Sequence, residues 1–113
     1  MKVHRWDFVR HGHLSLDAIR RVHAPSHKCR ISMRKYPAHT EHTGATRPTT
    51  AYVVSGSCAL AIGEEEVVLH SGTFSRLAGG EYSLRVEGVG ELEIVFVWKL
   101  PARWWRVSDV CTG

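Results

Sequence analysis

The most constraining feature of the sequence is a series of short apolar segments with two-residue alternation, separated by glycine-containing turns, between residues 28 and 101. Apolar and polar side chains alternate over residues 29–33, and the larger apolar side chains recur at every second position over 58–62 and 92–98. Successive side chains of a β-strand point to opposite faces, so each segment predicts a strand with one apolar face. Many such strands, separated by turns such as 63–66, 71–72 and 78–80, predict an all-β antiparallel sandwich or barrel.

The organisation of the chain follows from its length and from the absence of repeats and linkers. A chain of 113 residues with 43% hydrophobic residues supports one compact core but not a second domain beside it. We therefore predict a single domain with a barrel core at about 28–101, an N-terminal segment at 1–27 and a tryptophan-rich tail at 102–113. Within the N-terminal segment, Ser15 as a cap and apolar residues three apart up to Val22 allow a short helix before Pro25.

Composition excludes several functional classes. The longest unbroken apolar run, 94–98, is far too short for a membrane helix, and the first residues lack the apolar run of a secretory signal, so we expect a cytoplasmic protein without a membrane partner. Cys29, Cys58 and Cys111 include no close pair, so reduced thiols are expected.

The net charge is +4, with lysine and arginine concentrated in residues 1–50 and glutamate in 64–93. No nucleic-acid motif accompanies this asymmetry, so we do not predict nucleic-acid binding.

The order and spacing of the turns resemble those of the small single-domain cupins. The resemblance covers roughly residues 28–101 and is carried by Pro37, 52–56, 62–67, 71–72, 78–80 and Pro101. It implies a double-stranded β-helix, that is, a small jelly-roll barrel with a ligand cavity between its sheets. It also favours a homodimer, which the tail with Trp104 and Trp105 favours independently, since large rings tend to pack at a barrel end or an interface.

The resemblance also locates the positions where cupins hold a metal, and most of them carry no ligand here. The glutamate position falls on Thr49, the last histidine on Ser83, and the first two histidines on His42 and Gly44. A transition metal needs about three converging nitrogen, oxygen or sulfur ligands of higher affinity than these. We therefore predict no cofactor, with one alternative: a divalent transition metal held by His39 and His42 in a rearranged site.

The interior of the predicted barrel offers groups for an organic anion. If alternation continues from Thr49 and Ser83, then Glu81 and Arg85 share the inner face with Ser83, and Arg47 lies two residues before Thr49. Guanidinium groups donate paired hydrogen bonds to carboxylates and phosphates and keep their charge when partly buried. A shift of register would instead let Arg85 pair with Glu81 or Glu87 outside. Candidates for aromatic walls are Tyr36, Tyr52, Phe74, Tyr82, Phe96 and Trp98.

These observations lead to two functional hypotheses and a third from the tail. The first is a metal-free cupin that holds a small polar or anionic metabolite, as a binding or accessory protein or as an acid–base isomerase, cyclase or lyase. In the enzyme, His42 or His39 would transfer protons with Tyr52 or Glu81 as partner, since imidazole titrates near neutral pH. The second is a metal-dependent dioxygenase or isomerase that uses His39 and His42. The third is a protein-interaction module that uses the tryptophan-rich tail.

Overall fold

The computed structural model describes residues 1–24 and 26–100. The predicted tail at 102–113, and with it the interface predicted from Trp104 and Trp105, lies outside the described residues. In the described part, the helices are too short and too polar to span a bilayer.

The described residues form two short helices and nine strands. The helices are α1 (Phe8–His11) and α2 (Leu16–Val22), and a 3-10 turn covers Ser26–Lys28. The strands are β1 (His4–Arg5), β2 (Cys29–Tyr36), β3 (Glu41–Thr46), β4 (Thr49–Ser55), β5 (Ser57–Ile62), β6 (Glu65–His70), β7 (Thr73–Leu77), β8 (Gly80–Glu87) and β9 (Leu92–Lys99).

The strands form two antiparallel sheets packed face to face. The five-stranded sheet has the order β1-β7-β4-β9-β2, and the four-stranded sheet has the order β3-β8-β5-β6. The chain passes between the sheets after β2, β3, β4, β6, β7 and β8, so neighbours within a sheet are mostly distant in sequence. This arrangement confirms the predicted all-β jelly-roll barrel.

The main core lies between the two sheets. Leu60, Leu84, Leu92 and Ile94 are at most 1% exposed and belong to one apolar cluster contributed by both sheets. Every second residue of β9 faces this cluster, because the inner positions 92, 94, 96 and 98 alternate with positions that face away. The alternation predicted for this strand is therefore confirmed.

A second core covers the outer face of the five-stranded sheet. Trp6 and Ile19, from the N-terminal layer formed by residues 1–24, pack with Tyr52, Val95 and Val97. The predicted N-terminal helix is present as α2, and its cap is the predicted one. The Ser15 hydroxyl accepts a hydrogen bond from the Ala18 backbone N–H at 3.1 Å. Both faces of the five-stranded sheet are thus covered.

The stretch from Thr40 to Thr50, which is rich in threonine and shows no apolar alternation, contains a strand. Strand β3 pairs with β8 in antiparallel register, with His42 opposite Leu84 and Gly44 opposite Tyr82. Its composition of threonine, glycine and alanine gives no apolar alternation, so the strand is defined by backbone pairing with β8 and not by a local pattern. As a consequence, His42 lies on a strand and not on a loop.

Candidate functional site

A cavity of about 190 Å³ lies between the sheets at the end of the barrel where β9 finishes, and we call it the barrel cavity. Its walls come from both sheets and from the segment that joins β3 to β4. The lining residues are Arg34, Ala45, Thr46, Arg47, Leu77, Tyr82, Phe96 and Trp98. A concave, mostly apolar pocket with a few charged donors is the usual form of a small-ligand site.

Two guanidinium groups line the barrel cavity. Arg34 lies on β2 opposite Ile94, and Arg47 follows the end of β3. Neither forms an ion pair with any residue in the described ranges. Two arginines without carboxylate partners beside one cavity create a local excess of positive charge, which favours an anionic ligand.

A cluster of titratable rings lies along the same inner face. His42 contacts the rings of Tyr36 and Tyr82, with centroid distances of 5.6 and 5.8 Å. Burial raises the pKa of Tyr82, the neighbouring Tyr36 raises it further, and Arg34 lowers it. The phenol of Tyr82 therefore stays protonated at neutral pH and is a hydrogen-bond donor at the wall of the barrel cavity.

The inner face of β3 and β8 does not fit the metal site that cupins carry. At Gly44, in the position of the second histidine, an added Cβ atom would lie 3.2 Å from Cε1 and 3.3 Å from the hydroxyl oxygen of Tyr82. The tyrosine ring fills the space that a ligand side chain needs. In residues 1–24 and 26–100, no three histidine, cysteine, aspartate or glutamate side chains are arranged to hold a metal ion. His42 therefore lacks the partners that a transition-metal centre requires.

The prediction that Glu81, Ser83 and Arg85 face the interior is wrong. Leu84 and Val86 are the buried residues of β8, so Arg85 between them, and Ser83 and Glu81 at alternate positions before it, face outward. Glu81 and Ser83 line an open groove of about 820 Å³ on the outer face of the four-stranded sheet. Nη2 of Arg85 lies 2.9 Å from Oε1 of Glu87. This ion pair outside the barrel is the alternative that a shift of register predicts for Arg85. The cause is a shift of one residue, which exchanges the two faces of a strand.

The inward position predicted for Thr49 is confirmed, and its hydroxyl has a structural partner. Thr49 is 6% exposed, and its hydroxyl donates a hydrogen bond to the Val97 carbonyl at 2.9 Å. Ala51 and Val53, two and four residues later, belong to the main core as predicted. Thr49 therefore joins β4 to β9 at the edge of the barrel cavity.

The structure does not bring the three catalytic candidates together. Tyr52 faces the N-terminal layer, and its hydroxyl forms a hydrogen bond of 2.7 Å with Nε2 of His23. Burial lowers the pKa of His23, which favours the neutral imidazole, and the tautomer with Nε2 unprotonated accepts a hydrogen bond from the Tyr52 hydroxyl. His39 is exposed in the turn before β3, at φ 65°. His42 alone of the three faces the barrel interior, behind Tyr82.

Arg34 is the cavity residue that the sequence analysis missed. Cys29, Ile31 and Met33 of β2 pack against the N-terminal layer, so Arg34 and Tyr36 face the barrel. The alternation over 29–33 was visible in the sequence. The missing information was that its apolar side is covered by residues 1–24, because this directs Arg34, which remains exposed to solvent, toward the barrel cavity.

We expect the variant Tyr36→Phe to be more stable than the wild type. The Tyr36 hydroxyl is buried without a hydrogen-bond partner in the described residues. An unsatisfied buried polar group costs about 1–3 kcal/mol, so its removal should raise the free energy of unfolding by a fraction of that amount. Urea denaturation measures the change, and Tyr52→Phe, which loses the bond to His23, should destabilise the protein. A loss of stability in Tyr36→Phe would show that the hydroxyl has a partner.

Comparison with known proteins shows the fold. The cupin domain of an XRE-family transcriptional regulator from Enterobacter cloacae is 16% identical, with 68% of this chain and 86% of that chain covered and a TM-score of 0.59. A cupin 2 conserved barrel domain protein from Salinispora arenicola is 15% identical over 73% of this chain and 71% of that chain, with a TM-score of 0.59. The cupin domain of Cnp3 from Schizosaccharomyces pombe is 9% identical over 73% and 63%, with a TM-score of 0.60.

Sequence-based comparison adds no closer relationship. No family model matches the chain, and no curated protein matches it. The structural similarity nevertheless agrees with the sheet order and with the turns that carried the resemblance. The chain has the cupin fold.

Proposed function

We propose that this protein binds a small organic anion in the barrel cavity and that its own side chains hold the ligand without a metal. The observation that carries the proposal is the pair of guanidinium groups, Arg34 and Arg47, at one small cavity between the sheets. Neither arginine has an ion-pair partner in the described part of the chain. A carboxylate or phosphate would supply that partner through charge-assisted hydrogen bonds.

The surrounding side chains support a binding site in preference to a metal-dependent enzyme. Tyr82 supplies a neutral hydroxyl donor, and Phe96 and Trp98 supply apolar walls. Among residues 1–24 and 26–100, no group of three histidine, cysteine, aspartate or glutamate side chains such as a metal-dependent dioxygenase needs includes His42. Direct proton transfer by His42, as in an isomerase or lyase, has less support, because His42 contacts Tyr82 but is not among the residues that line the barrel cavity. We therefore propose a binding or accessory protein. If the protein is an enzyme, the same site would carry out acid–base catalysis.

Thermal unfolding in the presence of chosen anions tests this proposal. Citrate, glucose 6-phosphate and benzoate are compared with neutral glucose at equal concentration. A ligand at 100 times its dissociation constant stabilises a protein by about 2.7 kcal/mol, which is a shift of several degrees in a domain of this size. We expect at least one of the anions to raise the midpoint and glucose to leave it unchanged. If none of the three anions stabilises the protein, the proposal is wrong.

The arginines are then tested with a matched control. We expect Arg34→Gln and Arg47→Gln each to weaken binding of the active anion about tenfold, because each removes a charged hydrogen-bond donor worth about 1.5–3 kcal/mol. Arg85→Gln removes the same charge from the outer face, where Arg85 pairs with Glu87, and should leave affinity within about twofold. Isothermal titration gives all the affinities. Equal weakening by Arg34→Gln and Arg85→Gln would indicate a general charge effect and not a site.

A further inference from the structure

The aromatic side chains of the described residues divide into those that contact another ring and those that do not. Trp6, Tyr36, Tyr52, Phe74 and Tyr82 each contact at least one other aromatic or imidazole ring. Within residues 1–24 and 26–100, the aromatic residues without a ring contact are Phe8, Phe96 and Trp98.

Two of these three rings line the same cavity. Phe96 and Trp98 lie two residues apart on the inner face of β9 and border the barrel cavity, whereas Phe8 is on the surface. Phe96 is 8% exposed, so its ring is almost removed from solvent without an aromatic neighbour. The barrel cavity therefore presents ring surfaces in addition to guanidinium groups.

The ring surfaces and the positive charge lie close enough for one small molecule to contact both. On the inner face of the β2–β9 pair, Arg34 is opposite Ile94 and Phe96 is the next inner residue. Such diagonal neighbours have Cα atoms about 7–8 Å apart, within reach of a long side chain. Arg47 borders the same cavity from the segment that follows β3.

We propose that the ligand is a small planar carboxylate, such as a single-ring aromatic acid, and this inference rests on the proposed function. Its ring packs against Phe96 and Trp98, and its carboxylate accepts hydrogen bonds from Arg34 and Arg47. Aromatic pairs gain more than their buried area alone predicts, and guanidinium groups bind carboxylates through paired donors. The volume of about 190 Å³ is small for a ligand site, which favours a single ring over a nucleotide.

Three matched compounds separate planarity from charge and size. Benzoate has a planar ring and a carboxylate, cyclohexanecarboxylate has the same carbon number and charge without a planar ring, and benzamide has the planar ring without the charge. We expect benzoate to bind about threefold to tenfold more tightly than cyclohexanecarboxylate and at least tenfold more tightly than benzamide. Isothermal titration of the full chain measures the three dissociation constants.

Variants assign the preference to the proposed contacts. Trp98→Leu removes a ring and keeps an apolar side chain, so the ratio of the two carboxylate affinities should fall to about one. Arg34→Gln should weaken both carboxylates equally and keep the ratio. Phe74→Leu removes a ring from the second core, on the outer face of the five-stranded sheet, and should change neither affinity. Circular dichroism verifies that each variant is folded, and the comparison of compounds on the wild type needs no variant.

The outcomes distinguish this inference from the proposal on which it rests. Equal or tighter binding of cyclohexanecarboxylate would overturn the planar ligand and leave anion binding intact. Binding of citrate or glucose 6-phosphate without binding of benzoate would also overturn the planar ligand and leave anion binding intact. If no anion binds at all, both proposals are wrong. A preference for benzoate that persists in Trp98→Leu and in Phe96→Leu would place the ring elsewhere and also overturn the inference.

Discussion

Replacing Trp6 with alanine is expected to lower the free energy of unfolding by about 3–5 kcal/mol, the range for large-to-small changes at buried aromatic positions. Trp6 is 6% exposed and packs edge-on against Tyr52 with ring centroids 5.8 Å apart. Its indole Nε1–H also donates to the Gly12 carbonyl at 2.9 Å. The substitution thus removes the packing and the ring contact that join the N-terminal layer to the barrel, together with a hydrogen bond within that layer.

Urea denaturation of Trp6→Ala and of a surface control tests this expectation. Phe8→Ala removes a ring of similar size that is 68% exposed, so its effect should stay within about 0.5 kcal/mol. Benzoate affinity should be unchanged in folded Trp6→Ala, because Trp6 and the barrel cavity lie on opposite faces of the five-stranded sheet. Equal effects of the two substitutions would show that the N-terminal layer does not form a packed second core.

Gly56→Ala is the second substitution with a large expected effect, because two independent constraints act on this turn. Gly56 has φ +85°, and an added Cβ atom would lie 2.6 Å from the backbone oxygen of Glu91. Left-handed backbone costs a non-glycine residue about 1–2 kcal/mol, and displacement of a packed segment costs about 1–3 kcal/mol more. We therefore expect a loss of about 2–5 kcal/mol in the free energy of unfolding.

The turn at Gly63 supplies the matched control. Gly63 has φ +59°, and nothing lies within 4 Å of an added Cβ atom. Gly63→Ala should therefore show the backbone cost alone, about 1–2 kcal/mol. Chemical denaturation of both variants gives the difference, which measures the contact between the β4–β5 turn and the segment before β9. Equal destabilisation of the two variants would mean that the contact with Glu91 relaxes without cost.

The sequence correctly predicted those strands and helices whose residue pattern is complete within a few residues. The alternation over 92–98 identified the inner face of β9, and Ser15 identified the start of α2. Cys58, the first residue of the alternation over 58–62, is fully buried, with its pKa raised to about 12 mainly by burial. In each case, the side chains of one segment carry the information.

The candidate site was predicted only in part, because a site combines segments. Arg47 and Trp98 were selected from the sequence and line the barrel cavity together with Tyr82 and Phe96, which were selected as walls. Arg34 was not selected, because its strand resembles a surface strand with one polar face.

The predictions for the remaining site residues were wrong for the same reason, namely that a site combines segments distant in sequence. Ser83 was placed by counting from neighbouring glycines, and a shift of one residue moved it and its two neighbours to the outside. Tyr52 was assigned to a catalytic pair with His42, but Tyr52 packs on the outer face of the five-stranded sheet, whereas His42 lies on β3 of the four-stranded sheet and contacts Tyr36 and Tyr82. Both predictions required knowledge of which side of a strand is covered by which distant segment.

The sequence by itself determined an all-β sandwich or barrel with a short N-terminal helix, since strand alternation, turn glycines and a helix cap are local properties of the chain, and the resemblance to cupins implied the jelly roll. Only the tertiary structure decided which polar side chains face the cavity. Both faces of the five-stranded sheet are buried, one against the other sheet and one against residues 1–24, so hydrophobicity alone cannot identify the inner face of a strand such as β2. That assignment depends on contacts between segments far apart in sequence, and it places Arg34 beside Arg47, Phe96 and Trp98.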